Sequence, residues 1–200
     1  LPTGPTVWRP VNYDGRFHGT VPLEDALAES LNTATVRLAL DVGVDAVAET
    51  ATALGVTSAL PRVPALALGV ADTSLIELTA AYAVFADGGL RRPPRLVVAV
   101  ATPEGETLYT APPESARVLS PAVAYLMTHL LERVIDRGTG HPARQAGLVG
   151  TAAGKTGTTD DTRDAWFVGF TPEVVAGVWV GRDRGGPTGL TGATGALPIW

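Results

Sequence analysis

The sequence contains no cysteine, a single methionine and a single lysine. The absence of cysteine excludes disulfides, thiolate nucleophiles and cysteine-ligated metals. Long hydrophobic runs are missing as well. The apolar stretch near residues 75–86 is shorter than the roughly 20 residues of a bilayer-spanning helix, and glycine and proline interrupt the uncharged tail after Gly185. No membrane span is therefore predicted within these residues.

Positive charge is also scarce, because 15 basic and 20 acidic side chains leave a formal net charge of −5. This balance argues against nucleic-acid binding through overall positive charge. With 46% hydrophobic and 18% charged residues, the 200-residue chain is long and apolar enough to bury a core. We expect one globular unit over residues 1–200.

The chain begins Leu1-Pro2-Thr3, without an initiator methionine or a signal-peptide pattern. This start is typical of a piece of a longer protein, and we expect any targeting segment to lie upstream. Among the 15 basic residues, Lys155 is the only lysine. Arginine replaces lysine at most surface positions but not where a compact ammonium with an adjustable pKa is needed, so Lys155 is a candidate functional residue.

The first part of the chain is predicted to be helical after an extended, turn-rich start over residues 1–22. Pro22, followed by Glu24 and Asp25, predicts a helix over residues 22–30. Ser30-Leu31-Asn32-Thr33 predicts a corner, because these polar side chains compete for backbone hydrogen bonds. Further helices are predicted over 34–42 and over 46–54, the second with Asp45 as cap and Gly55 as stop. A helix from Ser74 to about Asp87 begins with a Ser74–Glu77 capping box and is expected to lie in the centre of the fold. The last predicted helix extends from Ser120-Pro121 to Gly138.

Strands are predicted later in the chain. Residues 95–101 and 107–110 form a predicted hairpin, and residues 154–159, 164–170 and 174–181 form predicted sheet strands. We expect Trp166, Val168 and Phe170 to share one face, and the last strand to be covered on both faces. Short connections favour antiparallel pairing, so the predicted fold class is α+β, with helices over about 20–90 and 120–138 and a sheet over about 154–182.

The 120–137 helix has a predicted buried stripe of Val123, Leu126, Met127, Leu130, Leu131 and Val134.

Several common sites are not indicated. His18, His129 and His141 lack metal-ligand spacing, and His129 is predicted to be a surface residue. Asp160-Asp161 is expected to be a solvated turn. Gly154-Lys155-Thr156 fails as a phosphate loop, because the first glycine of that motif is replaced by Val149 and a strand pattern follows. Neither a metal nor a cofactor is predicted, and nucleotide hydrolysis is disfavoured.

The same residues match another pattern. Lys155-Thr156-Gly157-Thr158-Thr159 on a strand and Ser30-Leu31-Asn32 at a distant helix corner are two of the three elements of the active-site serine acyltransferases that bind β-lactams. The flanking matches are 8–19 (WRPVNYDGRFHG), 85–89 (FADGG), 137–140 (RGTG), 164–169 (DAWFVG) and 195–200 (GALPIW). Across nearly its whole length the chain resembles the transpeptidase domain of class A penicillin-binding proteins. This implies the penicillin-binding/serine β-lactamase-like fold, truncated at both ends, in a periplasmic or otherwise extracytoplasmic protein that is tethered by an upstream helix.

The resemblance also implies a reaction and roles. A serine attacks the D-Ala-D-Ala amide of a peptidoglycan stem peptide and the acyl group passes to the amine of a neighbouring stem peptide; β-lactams occupy the same site. Ser30 is implied to relay a proton, Asn32 to bind the substrate amide, and Lys155 to sit beside Ser30 as an ammonium. Thr156 and Thr158 are implied to bind the terminal carboxylate, with the Thr158 N–H in the oxyanion hole. Gly157 is implied to leave room for substrate, and Thr159 is counted with the substrate-binding residues.

The family's Ser-x-x-Lys motif is absent from these residues. With Lys155 as the only lysine, no serine has a lysine three residues later. A hydroxyl without a base is a poor nucleophile, so we expect this chain alone to be inactive and to form no adduct with penicillin. A non-catalytic module that binds peptidoglycan or β-lactams remains the alternative.

Overall fold

The computed structural model describes residues 2–3 and 6–200. The extended start predicted at Leu1, Gly4 and Pro5 lies outside the described residues. Short strands β1 (Pro2–Thr3) and β2 (Thr6–Val7) pair antiparallel and precede three helices: α1 (Leu23–Ala28), α2 (Asn32–Val42) and α3 (Val44–Leu54). A 3₁₀ turn (Pro64–Leu68) leads to α4 (Leu75–Ala86).

The second half carries most of the strands. Four short strands, β3 (Leu90–Arg91), β4 (Ala99–Ala101), β5 (Thr107–Thr110) and β6 (Ala116–Arg117), form two antiparallel pairs, β3 with β6 and β4 with β5. Helices α5 (Pro121–Arg137) and α6 (Pro142–Gln145) precede strands β7 (Ala153–Thr158), β8 (Ala165–Phe170) and β9 (Val175–Val180). These last three strands form one antiparallel sheet in the order β7-β8-β9, and a π-helical turn (Gly192–Ala196) follows them. The predicted α+β class is confirmed.

Helix ends follow local sequence signals. The Ser74 hydroxyl accepts from the Glu77 N–H and the Glu77 carboxylate accepts from the Ser74 N–H, which confirms the capping box. Gly55 ends α3 in a left-handed conformation, as predicted. Asp45 was expected to cap α3 but lies in its first turn, because Gly43, with φ +98°, already turns the chain into the helix. The corner after α1 is also tighter than predicted, since Asn32 begins α2.

Helix α5 has the predicted ends but a rotated buried face. Its buried residues are Ala124, Leu131, Val134 and Ile135, whereas Val123 and Leu126 are exposed. The predicted stripe was therefore wrong at its first turns. It included the large apolar side chains Val123 and Leu126 and omitted the small Ala124, which is the buried residue there. Helix α4 packs against β8, β9 and α5, which agrees with the predicted central position, although Ile76 in its first turn is exposed.

The core lies around β8, the central strand. Phe167 packs with Ile135 of α5 and with Leu197, while Phe170 on the opposite face packs with Leu131 and Ala153. The edge strand β9 was expected to be covered on both faces, but its residues are half-buried and Trp179 is exposed. The covered strand is β8, because β7 and β9 pair with its two edges while α4 and the π-helical turn at Gly192–Ala196 pack against it. None of the helices within residues 2–3 and 6–200 has the length and apolar character that crossing a bilayer requires.

Candidate active site

The candidate site begins at the corner between α1 and α2. The Ser30 N–H donates to the Leu27 carbonyl and the Leu31 N–H donates to the Ala26 carbonyl, which is the Schellman pattern of a helix C-terminus. Glycine usually occupies the left-handed position of this motif, but here Ser30 holds it with φ +55°. A serine in this conformation is strained, and strain of this kind is common at functional sites.

The corner is clamped from the side of the preceding segment by Asn12, whose side chain is buried. The Asn12 Oδ1 accepts from the backbone N–H of Thr33 at 3.0 Å and from its hydroxyl at 3.2 Å, while its amide donates to the Arg16 carbonyl. Asn32 is tied to the same segment, since its side-chain amide donates to the Val11 carbonyl at 2.9 Å. The tripeptide Ser30-Leu31-Asn32 is therefore held in place by residues about 20 positions earlier.

Lys155 reaches this corner from the sheet. Its Nζ donates to the Ser30 Oγ at 2.9 Å, to the Thr156 carbonyl at 3.1 Å and to the Thr156 Oγ1 at 3.4 Å. Burial lowers the pKa of Lys155 to about 8, because desolvation disfavours the ammonium. A charged amine whose neighbours here are hydroxyl and carbonyl oxygens is suited to attract an anion.

The backbone of β7 is oriented for a ligand along its outer edge. The Thr159 N–H donates to the Asp164 carbonyl, and this pair continues the β7–β8 register in which Lys155 lies opposite Val168. Bonded and non-bonded pairs alternate along an antiparallel ladder, so Gly154, Thr156 and Thr158 direct their N–H and C=O groups away from β8. In the described part of the chain no strand pairs with this edge, which leaves the Thr158 N–H on the outer side of β7.

The other predicted binding residues occupy different surroundings. The Thr158 hydroxyl accepts from the Gly192 N–H at 2.9 Å, and Thr159 closes the β7–β8 turn by hydrogen bonds with Asp164. At Gly157 an added Cβ would lie 3.1 Å from the Trp166 Cβ, so cross-strand packing also restricts this position. The structure therefore brings Ser30, Lys155 and Thr156 into contact, and it places Asn32, Gly157, Thr158 and Thr159 in the flanking corner and strand.

The sequence reasoning missed two residues of this site, Thr139 and Asn12. The Thr139 hydroxyl lies 2.7 Å from the Thr156 hydroxyl, and Asn12 clamps the corner as described above. Both residues belong to segments on which the family resemblance depends, so a signal was present, but no local pattern indicated their long-range partners. No group of three or more metal-ligating side chains occurs in residues 2–3 and 6–200.

Comparisons with known proteins agree on one family. The family model described as the penicillin binding protein transpeptidase domain matches residues 2–183. Penicillin-binding protein 1B of Vibrio cholerae is 37% identical over 98% of this chain, and penicillin-binding protein 1A of Aquifex aeolicus is 42% identical over 96% of it. The aligned region is 25% and 26% of these two relatives, so the chain spans about a quarter of their length.

Solved structures give the same result. A crystal structure of penicillin-binding protein 1A from Haemophilus influenzae superposes with a TM-score of 0.92 at 27% identity, over all of this chain and 36% of that one. The imipenem acyl-enzyme complex of penicillin-binding protein A from Mycobacterium tuberculosis superposes with a TM-score of 0.80 at 28% identity, over all of this chain and 51% of that one.

Proposed function

The chain belongs to the penicillin-binding protein transpeptidase family, and we propose that it forms part of a serine D,D-transpeptidase that cross-links peptidoglycan stem peptides. The observation that carries the proposal is the 2.9 Å contact between Lys155 Nζ and Ser30 Oγ, two residues 125 positions apart. The contact lies beside the outer edge of β7. An extended peptide is suited to such an edge, because backbone hydrogen bonds supply affinity there.

The proposed reaction needs a nucleophilic serine from a Ser-x-x-Lys segment of a longer polypeptide. Its Oγ attacks the carbonyl carbon of the D-Ala-D-Ala amide, the C–N bond breaks, and a proton passes to the nitrogen of the departing D-Ala. The acyl group then moves to the amine of a second stem peptide, which loses its proton as the new amide forms and the serine is regenerated.

We assign a role in these steps to each residue of the candidate site. Ser30 relays the proton to the leaving nitrogen, and the neighbouring ammonium of Lys155 orients its hydroxyl. Asn32 binds the substrate amide. The Thr158 N–H donates to the oxyanion of the tetrahedral intermediate, a type of contact worth about 3 kcal/mol in the transition state.

The C-terminal carboxylate of the stem peptide would be bound by Lys155 together with hydroxyls on β7. We assign Thr156 and Thr158 to this carboxylate, and we place Gly157 and Thr159 along the bound peptide. β-Lactams carry a comparable carboxylate and a reactive amide, and the Mycobacterium tuberculosis structural relative is an imipenem acyl-enzyme complex. We therefore propose β-lactams as ligands of the same site, and an extracytoplasmic location where peptidoglycan is assembled.

A second candidate is a non-catalytic module that binds peptidoglycan or β-lactams without acylation. The observation that favours it is the Lys155 ammonium beside the Ser30 and Thr156 hydroxyls, a set of groups that can bind a carboxylate without forming a covalent bond. The two candidates differ in whether the site forms a covalent bond.

Labelled penicillin distinguishes these candidates. A longer polypeptide that contains this chain and a Ser-x-x-Lys segment should be acylated, and its Ser30→Ala variant should be acylated at least about 100-fold more slowly, since the proton relay is lost. Ser115→Ala removes an exposed serine on the β5–β6 connection and is the matched control, with no change expected. The chain alone should form no adduct. An acyl-serine on the chain alone, found by mass spectrometry, or a longer polypeptide that resists acylation, would contradict the transpeptidase proposal.

A further inference from the structure

Four polar side chains from three parts of the fold form a continuous row of contacts at β7. The Thr156 Oγ1 lies between the Lys155 Nζ, at 3.4 Å, and the Thr139 Oγ1, at 2.7 Å. Lys155 also contacts Ser30, so the row extends from the α1–α2 corner to the loop that follows α5. Thr139 is the member of this row that has no role in the proposed reaction.

The backbone of Thr139 is fixed independently of its hydroxyl. Its N–H donates to the Ala28 carbonyl at 3.0 Å, at the end of α1. Gly138 packs so closely on the same carbonyl that an added Cβ would lie 2.2 Å from the oxygen. Arg137, at the end of α5, forms an ion pair with Asp25 at 2.8 Å. Because these contacts hold the loop, removing only the hydroxyl should leave the loop in place.

A count of protons gives that hydroxyl a specific task. Each threonine hydroxyl has one proton to donate, so the short contact between Thr156 and Thr139 uses the proton of one partner. If Thr156 donates to Thr139, its proton is not available for a ligand. If Thr139 donates to Thr156, the Thr156 proton is free to point at an anion on the outer side of β7.

We propose that Thr139 is a positioning residue that donates its hydroxyl proton to Thr156 and so directs the Thr156 hydroxyl toward the substrate carboxylate. This inference rests on the proposed function, in which Thr156 binds that carboxylate. Hydrogen bonds to an ionised group are about twice as strong as neutral ones, so the ligand itself favours this direction of donation. Thr139 thereby acts on substrate affinity through Thr156, without touching the substrate.

The test uses a longer polypeptide that contains this chain and a Ser-x-x-Lys segment, with a β-lactam as its free acid and as its methyl ester. Thr139→Val should lower the second-order acylation rate about tenfold for the free acid, equivalent to about 1.4 kcal/mol, and less than about twofold for the ester. Thr139→Ser keeps a hydroxyl and should restore the rate. Thr52→Val, which removes a part-buried hydroxyl that donates to the Ala48 carbonyl in α3, is the matched control and should change neither rate.

A double-mutant cycle shows whether Thr139 acts through Thr156. If it does, Thr139→Val should have little further effect in a Thr156→Val background. Equal losses for acid and ester, or fully additive losses in the cycle, would overturn the inference and indicate a structural role, which melting curves would reveal as a lowered Tm. Ser30→Ala and Lys155→Ala keep the two hypotheses separate. If they abolish acylation while Thr139→Val does not alter it, only this inference fails; if they leave acylation intact, the proposed function fails.

Discussion

Two charged side chains each join distant segments of this molecule, and they are satisfied to different degrees. Glu77 accepts hydrogen bonds from the backbone N–H and hydroxyl groups of Thr57, Ser58 and Ser74. Lys155 donates to one serine hydroxyl and to the hydroxyl and carbonyl of Thr156. The first charge is surrounded by donors that match it, whereas the second faces neutral oxygens.

The pKa values express this difference. Hydrogen bonds from Thr57, Ser58 and Ser74 hold the pKa of Glu77 well below its usual range, so its surroundings favour the charged form. Burial lowers the pKa of Lys155 to about 8, so its surroundings disfavour the charged form. The Glu77 carboxylate, which is surrounded by donors, holds the loop at Thr57 and Ser58 against α4. The Lys155 ammonium contacts neutral oxygens, so an anionic ligand can still form a favourable interaction with it.

The largest contrast should come from removing each charge in a longer, acylation-competent polypeptide. Lys155→Ala should lower the acylation rate by about 100-fold or more, because the oriented Ser30 hydroxyl and the carboxylate attraction are lost together. Lys155→Arg should lose nearly as much, since a planar guanidinium cannot place its donors where a compact ammonium does. Rates with labelled penicillin, alongside melting curves, check both variants.

Glu77→Gln is the matched control for these variants. It should leave the acylation rate of folded protein within about twofold, because the loop it holds lies outside the site. If Lys155→Arg lowers folding as much as acylation, Lys155 has a structural role and not a specific role in the site. If Glu77→Gln greatly lowers the acylation rate, Glu77 is not purely structural.

The backbone of Ser30, the serine that Lys155 contacts, is strained. Ser30→Gly should stabilise the fold by about 1 kcal/mol, because glycine adopts φ +55° without the cost that an L side chain carries. The same change removes the Lys155 partner and should lower acylation as strongly as Ser30→Ala does. Melting curves that show a raised Tm for Ser30→Gly but not for Ser30→Ala would identify the strain as a cost of the site; no gain in Tm would show that the corner carries none.

Features that depend on nearby residues could be predicted from the sequence, whereas features that depend on distant packing could not. The Ser74–Glu77 capping box and the Ser120-Pro121 start of α5 depend on residues no more than three positions apart, and both predictions were confirmed. The rotated face of α5 and the exchange of β8 for β9 as the covered strand were not predictable in this way, because burial there is decided by which elements pack together. Local periodicity does not contain that information.

The contacts of the candidate site join distant segments, and only some of them were predicted. The pairing of Ser30 with Lys155 was predicted only through the family resemblance, since 125 residues separate them. The Thr139–Thr156 contact was missed although both segments were recognised, because a threonine in a Gly-Thr-Gly turn is ordinary by itself. Its significance depends on the docking of the loop after α5 on the end of α1, which the three-dimensional structure shows.

Glu77 should contribute a moderate, measurable part of the stability. Glu77→Gln removes the charge from a set of donors that all favour it, so the loop at Thr57 and Ser58 should separate from α4 more easily. We expect the Tm at pH 7 to fall by a few degrees, in the range typical of one substitution in a domain of this size. Hydrogen exchange at the Thr57 and Ser58 amides should accelerate more than exchange in β8. Unchanged exchange at these amides would show that the carboxylate does not hold the loop.

Stability should also depend on pH, through Glu77 in the acidic range and through Lys155 in the alkaline range. Because the pKa of Glu77 is lowered on folding, its contribution is present above its ordinary pKa of 4.5 and is lost as the pH falls below it. Because the pKa of Lys155 falls from 10.5 to about 8, the unfolded chain binds more protons between these values, and stability should rise with pH above about 8. Tyr82, whose pKa burial raises to about 12, opposes this gain above pH 10, so the comparison is best made between pH 7.5 and 9.5.

Melting curves of two variants assign these effects. Glu77→Gln should flatten the acidic limb and leave the alkaline limb unchanged, whereas Lys155→Met should do the reverse. A direct reading is available as well, because ¹⁵N-lysine labelling of this chain gives a single side-chain signal, that of Lys155. Its titration midpoint should lie near pH 8, and lower in Ser30→Gly, which removes an acceptor of the charged form. A midpoint near 10.5 would mean that the ammonium is fully solvated, and the attraction for an anion that distinguishes Lys155 from Glu77 would then be lost.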